Sequence, residues 1–212
     1  MHIVYLHGFA SSAHSTKGTF LAQKFRERGI TIHTPDFNEP EFSTLTVTRM
    51  VNQVERILDG LPPAPITLIG SSLGGFVAVQ VALRRRVDRL VLLAPALDFT
   101  GTRMHEIGDR SLSDWQKTGE LNVFHYGYGR MLPVHYGLYS DVCGYDCLNA
   151  KLSMPILIFQ GRRDIAVSPE VVEQWASSRP NVELHLLDDD HQLGASLEQI
   201  WRTTSDWLRV SR

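Results

Sequence analysis

Cysteine is nearly absent from this chain: among 212 residues only Cys143 and Cys147 carry a thiol. Their i, i+4 spacing suits neighbouring positions on one face of a helix, which is not the layout of a disulfide framework. No second Cys/His pair completes a zinc site, so neither a metal nor a cofactor is expected. A surplus of charge is missing too. Lysine and arginine number 21 against 23 acidic residues, a formal net charge of −2, which gives no reason to expect nucleic acid as a partner. The one basic run, Arg84-Arg85-Arg86, falls where a helix should end, and there it reads as a solvated C-terminus favoured by the helix dipole. No apolar run approaches the ~18 residues that a membrane span requires. Residues 1–6 enter a strand directly without the layout of a signal peptide, so the cytoplasm is the expected location.

What the chain does have is alternation. Short apolar runs at residues 2–6, 31–34, 66–69, 89–94, 156–160 and 182–187 are separated by segments of helical periodicity. Helices are predicted over residues 15–28, 45–58, 76–83 and 193–208, with one more starting at Ser168-Pro169, a capping serine followed by proline at the first helical position. Six strands alternating with helices predict an α/β fold, a mostly parallel sheet covered on both faces. The length suits one domain, residues 1–212. Only residues 98–153 break the rhythm. A structureless loop that long is unusual in a compact domain, so this insertion is expected to carry its own elements: a short helix over 113–119, a hairpin over 123–136 and a helix over 137–148. It is rich in aromatics, and Trp115, Phe124, Tyr126 and Tyr136 are candidates for an apolar wall that binds substrate, unless they form the insertion's own small core.

The third apolar run leads into Gly70-Ser71-Ser72-Leu73-Gly74-Gly75. Strand, G-x-S-x-G and helix in succession place the central serine on a sharp turn, where its hydroxyl stands clear of the sheet and the first helical N–H groups point at the same spot. Ser71 lies one place off the centre of this pattern, so Ser72 is the candidate nucleophile. A serine hydroxyl needs a base to take its proton, and the base needs a carboxylate to orient it. Ligands of such sheets bind beyond the carboxyl ends of the strands. Asp164 follows the fifth strand and His191 the sixth, both at such ends. Asp98, Asp188, Asp189 and Asp190 are weaker candidates for the orienting acid. After the first strand, His7-Gly8-Phe9 has the H-G-x form, which makes the Phe9 N–H a candidate oxyanion donor beside the Leu73 N–H. His7 itself reads as an anchor for that loop.

The order Ser, Asp, His and the elbow together resemble the α/β-hydrolase superfamily over nearly the whole chain. More narrowly, His7-Gly8-Phe9-Ala10-Ser11-Ser12 with Ser15-Thr16-Lys17 resembles the opening of the small YqiA-type serine esterases, and Gly70–Gly75 resembles their nucleophile elbow. The long insertion is similar to the lid of the ABHD10-type acyl-thioester hydrolases. The resemblance implies an α/β-hydrolase fold with a lid after the fourth strand. It also implies Ser72, Asp164 and His191 as a triad acting on a small-molecule carboxylic ester or acyl thioester. Two alternatives stay open: the same triad serving a peptidase, acyltransferase or C–C hydrolase, and a binding protein that keeps the fold without catalysis. Nothing in the sequence fixes an oligomeric state.

Overall fold

The computed structural model describes residues 1–101 and 111–210. The first half runs β1 (His2–Leu6), α1 (Thr16–Arg26), β2 (Ile32–His33), a 3-10 turn (Phe42–Thr44), α2 (Val47–Gly60), β3 (Ile66–Ser71), α3 (Leu73–Ala82) and β4 (Arg89–Leu93). The insertion follows with α4 (Leu112–Thr118), the hairpin β5 (Glu120–His125) and β6 (Arg130–His135), and α5 (Gly137–Val142). The chain closes with β7 (Ile156–Gly161), α6 (Pro169–Ser177), β8 (Val182–Leu187) and α7 (Leu197–Leu208). Six strands pair in the order β2-β1-β3-β4-β7-β8, and every pairing among them is parallel.

Strand alternation divides the core into two layers. Ile3 and Tyr5 of β1, Val91 and Leu93 of β4, and Leu157 and Phe159 of β7 face α1 and α7, against Leu21, Phe25, Ile200 and Trp201. Their sequence neighbours Val4, Leu6, Leu90, Leu92, Ile156 and Ile158 face α2, α3, α6 and the insertion. Both faces of each central strand are thus buried, which is why those strands read as continuous apolar runs instead of alternating ones. Local chemistry sets the helix starts. The hydroxyls of Ser15, Thr46, Ser111 and Ser168 accept from backbone N–H groups three residues on, at 3.1–3.3 Å.

Three expectations are corrected. The helix predicted over 137–148 stops at Val142, with Cys143 and Gly144 turning the chain. The two cysteines therefore share no helix face: Cys143 is exposed, while Cys147 is buried and receives a hydrogen bond from Gln80 Nε2 at 3.2 Å. The last helix begins at Leu197, not Leu193, because Leu193 adopts a left-handed φ of 54° and breaks the helical path. The basic run lies just beyond α3 and largely faces solvent, as expected: Arg84 and Arg86 are exposed, with the Arg84 guanidinium 5.2 Å from the Tyr145 ring and Arg86 3.5 Å from Asp88, and Arg85 is half-buried and pairs with Asp59.

The described part of the insertion is strapped to the body at several points. Asp141 accepts from Thr48 N and Oγ1 at 2.8 and 2.5 Å, and Trp175 Nε1 donates to the Cys147 carbonyl at 2.9 Å. At the hairpin tip, Tyr126 N donates to the Ala10 carbonyl at 2.8 Å. The His125 Nε2–H donates to Asn38 Oδ1 at 3.0 Å, and a Cβ on Gly127 would lie 3.0 Å from Ser12 Cβ. The hairpin thus rests on the loop that follows β1. Among the described residues, no helix is long and apolar enough to cross a membrane.

Candidate active site

Ser72 sits between β3 and α3 with φ 53° and ψ −118°, a strained conformation for a residue with a side chain. Its neighbours explain how the strain is held. A Cβ on Gly70 would strike the Gly74 carbonyl, and one on Gly74 would strike the Leu6 carbonyl, so the turn closes only with glycine at both places. The Ser72 N–H donates to the Leu93 carbonyl at 2.9 Å, fixing the turn to the end of β4.

The ends of β7 and β8 supply the other two groups. His191 Nε2 lies 3.1 Å from Ser72 Oγ, and its Nδ1 lies 2.8 Å from Asp164 Oδ2. The Asp164 side chain is fully buried. Its Oδ1 accepts from the N–H groups of Ala166 and Val167, each at 2.8 Å, and Oδ2 also accepts from Gln160 Nε2 at 2.8 Å. Burial pushes the pKa of this carboxyl up. Hydrogen bonds and charge from His191, with the bonds from Val167 and Gln160, outweigh that and hold it below the ordinary carboxylate value. An ionised Asp164 accepts only, which assigns the His191 proton to Nδ1 and leaves the Nε2 lone pair facing the Ser72 hydroxyl. The arrangement can draw a proton from Ser72.

The other acids do not meet His191. Asp188 is exposed and pairs with the Arg163 side chain, Asp189 Oδ1 accepts from Asp190 N at 2.8 Å, and Asp190 Oδ1 accepts from Gln192 N at 2.8 Å. Asp98 is exposed and accepts from Gly101 N through its backbone carbonyl at 3.1 Å.

The loop after β1 stands beside the nucleophile: a Cβ on Gly8 would lie 3.2 Å from Ser72 Cβ. Among the described residues, neither the Phe9 N–H nor the Leu73 N–H donates to a protein acceptor. His7 braces this loop. Its Nε2 accepts from Phe37 N at 2.9 Å, which puts the ring proton on Nδ1, where it donates to the Gly8 carbonyl at 2.9 Å. Asp36 Oδ1, 3.3 Å from the same Nε2, is then a neighbour without a proton to share, and its own donors are Asn38 N and Nδ2 at 3.0 and 2.7 Å. Asn38 Nδ2 also reaches the Ser11 carbonyl at 2.9 Å, so one buried amide joins this loop to His125 of the hairpin. His125 is buried, and burial above all holds its pKa below the ordinary histidine value. Asn38, His125 and Gln160 carried no sequence motif; their partners become visible only once the chain is folded.

The four aromatics expected at a substrate wall are dispersed. Trp115 is buried inside the insertion, with Nε1 donating to the Val134 carbonyl at 3.0 Å, and Tyr136 packs edge-on against it at 5.7 Å. Phe124 and Tyr126 are exposed on the outer face of the hairpin. Phe9, which follows Gly8 in the loop after β1, has its ring 5.6 Å from Phe42 and 6.5 Å from Phe99.

A wholly parallel sheet with a serine on a strained turn after a central strand is the architecture of the α/β-hydrolases, and solved structures show the same fold. Alpha/beta hydrolase domain-containing protein 10 from mouse matches with a TM-score of 0.82 at 22% identity, covering 98% of this chain and 89% of that one. Residues 2–205 match the model of the Uncharacterised protein family (UPF0227), and the chain belongs to that family. Among named relatives, rat palmitoyl-protein thioesterase ABHD10, mitochondrial, is 22% identical over 206 residues, 90% of this chain and 69% of the relative. Lipase LipV of Mycobacterium tuberculosis is 33% identical over 90 residues, which is 40% of this chain and 34% of the lipase.

Proposed function

We propose that this protein is a serine hydrolase that cleaves carboxylic esters or acyl thioesters of small molecules, with Ser72, Asp164 and His191 as its triad. The observation that carries the reading is His191, whose ring spans from Asp164 Oδ2 at 2.8 Å to Ser72 Oγ at 3.1 Å. In the first half-reaction Ser72 Oγ attacks the acyl carbonyl while its proton passes to His191 Nε2. Asp164 keeps the proton on Nδ1 and stabilises the imidazolium. The Phe9 and Leu73 N–H groups receive the developing oxyanion, a role in which one donor is typically worth about 10²–10³ in rate. His191 then gives its proton to the departing alkoxide or thiolate, leaving Ser72 acylated. In the second half a water loses a proton to Nε2 and attacks the acyl carbonyl, and Ser72 leaves with that proton.

The named relatives support the ester and thioester class, one being called a lipase and another a palmitoyl-protein thioesterase. In this reading the insertion over residues 98–153, of which 102–110 lie outside the described residues, is a lid within a single domain. Two free cysteines suit a reducing compartment such as the cytoplasm. The test is a fluorophosphonate probe together with p-nitrophenyl acetate and an acyl thioester. The wild-type protein should be labelled at Ser72 and turn over at least one substrate, and Ser72→Ala should do neither while keeping its melting temperature. Turnover at the wild-type rate by Ser72→Ala would refute the reading.

A further inference from the structure

α1 opens in a way that its local chemistry does not favour. The first turn carries no acidic residue and instead holds Lys17, a cation at the positive end of the helix dipole. Lys17 is also only 8% exposed, although lysine is among the residues least often buried. Departures of this kind need a compensating contact. Here the contact is with the loop that carries His191: Lys17 Nζ donates to the Gln192 carbonyl at 3.0 Å and to the His191 carbonyl at 3.4 Å.

We propose that Lys17 is a positioning residue for the reaction, an ammonium that grips two successive peptide carbonyls and so fixes the direction in which the His191 side chain leaves the backbone. The inference rests on the triad assignment made above. The loop around His191 is short of regular structure: it is turned by Asp190 Oδ1, which accepts from Gln192 N at 2.8 Å, and by the left-handed Leu193. Lys17 is the contact that ties it to a helix on the far side of the molecule's sequence. The base of the grip is itself rigid. Ser15 caps α1 and lies 3.3 Å from Tyr5 Oη, and Gly18 lies so close to Tyr5 that a Cβ there would come within 2.7 Å of the ring.

The grip depends on charge, because a charged donor makes hydrogen bonds roughly twice as strong as a neutral one. Burial lowers the Lys17 pKa from 10.5 to about 8, even though Asp164, Asp190 and Asp189 pull it upward. Other ionisable groups lie on β1, α7 and β2 beside α1, among them Arg202 and Asp206 of α7. Tyr5 of β1 is pushed by burial to about 12 and stays neutral through this range. Glu198 of α7 is paired with Lys24 at 2.9 Å, and His33 of β2 lies against His2 with ring centres 6.3 Å apart. As pH rises through 8, Lys17 therefore loses the proton that makes its grip strong, and the rate falls with it.

The test follows kcat for p-nitrophenyl acetate and the rate of fluorophosphonate labelling from pH 6 to pH 10. The wild type should show an alkaline decline centred near pH 8. Lys17→Met should lower kcat by about 10–100-fold, the scale of a displaced catalytic group, leave KM nearly unchanged and lose the decline. Lys17→Arg, charged throughout, should recover part of the rate and also lack the decline. Should Lys17→Met fail to fold, the arginine variant decides alone: a decline near pH 8 that persists in it overturns the proposal. Wild-type kcat in Lys17→Met, or a wild-type rate level through pH 8, overturns it as well. If the wild type is not labelled at Ser72 at any pH, the triad assignment has failed and this inference goes with it.

Discussion

Replacing Asp164 by asparagine keeps the shape of the side chain and removes its charge, and the surrounding donors dictate how the new amide must sit. Oδ1 accepts from two backbone N–H groups at 2.8 Å, those of Ala166 and Val167, which cannot turn away. The amide oxygen must therefore occupy that place, and the NH2 group replaces Oδ2. It then faces His191 Nδ1, which can only accept from it, so the ring proton is forced to Nε2. In that tautomer His191 presents an N–H to Ser72 where a lone pair is needed. Gln160 must adjust as well, since its Nε2 now meets a donor. Among the described residues its Oε1 has no partner, and an amide flip would bring that oxygen to the new NH2. The protein should thus fold while its base is held in the wrong tautomer. Wrong-tautomer substitutions of this kind lower kcat by about 10⁴, which at 1.36 kcal/mol per tenfold is about 5.4 kcal/mol of transition-state stabilisation. Steady-state hydrolysis of p-nitrophenyl acetate, with a thermal melt to show that the fold survives, makes the measurement. A kcat within tenfold of wild type would refute the reasoning, because Asp164 would then not control the His191 tautomer.

Further outcomes are expected. Asn38→Ala should destabilise the protein by about 1–3 kcal/mol, the cost of leaving a buried group such as the His125 Nε2–H without its partner. Urea denaturation checks this, and a loss below the error of the measurement would show that the loop–hairpin tie carries no stability. Acid sensitivity should change with Asp164. Its folded pKa lies below the ordinary value, so its contribution to stability is full above about pH 4 and is lost as pH falls through the lower folded value. Melting temperature against pH should therefore be flatter in this acid range for Asp164→Asn than for wild type. Equal slopes would mean that another group dominates.

How much of this was legible in the sequence depends on whether the signal was local. The elbow, the helix cap at Ser168, and the acid and histidine at strand ends are each written within a few residues, and the structure puts Ser168 at the start of α6, Ser72 on the turn after β3, and Asp164 and His191 in the loops after β7 and β8. The boundaries drifted where a single backbone angle decides, as at Leu193. Lys17 stands in a motif, yet its partners lie 174 and 175 residues further along the chain, and Asn38 lies 87 from His125. No period or spacing announces such pairs. The insertion shows a different kind of shortfall. β5 buries Leu121, Val123 and His125 and exposes Phe124 between them, a period of two that was available to be read. Aromatic content alone says nothing about which face a ring takes.

The tip of the hairpin bonds to the Ala10 carbonyl, one residue beyond the N–H assigned to the oxyanion. In the proposed reading, the segment that roofs the site is also tied to the backbone beside the Phe9 oxyanion donor. On that reading, redesigning the segment for a bulkier acyl group should also loosen the proposed Phe9 donor, which couples selectivity to speed. A replacement hairpin would then need its own bond to the Ala10 carbonyl.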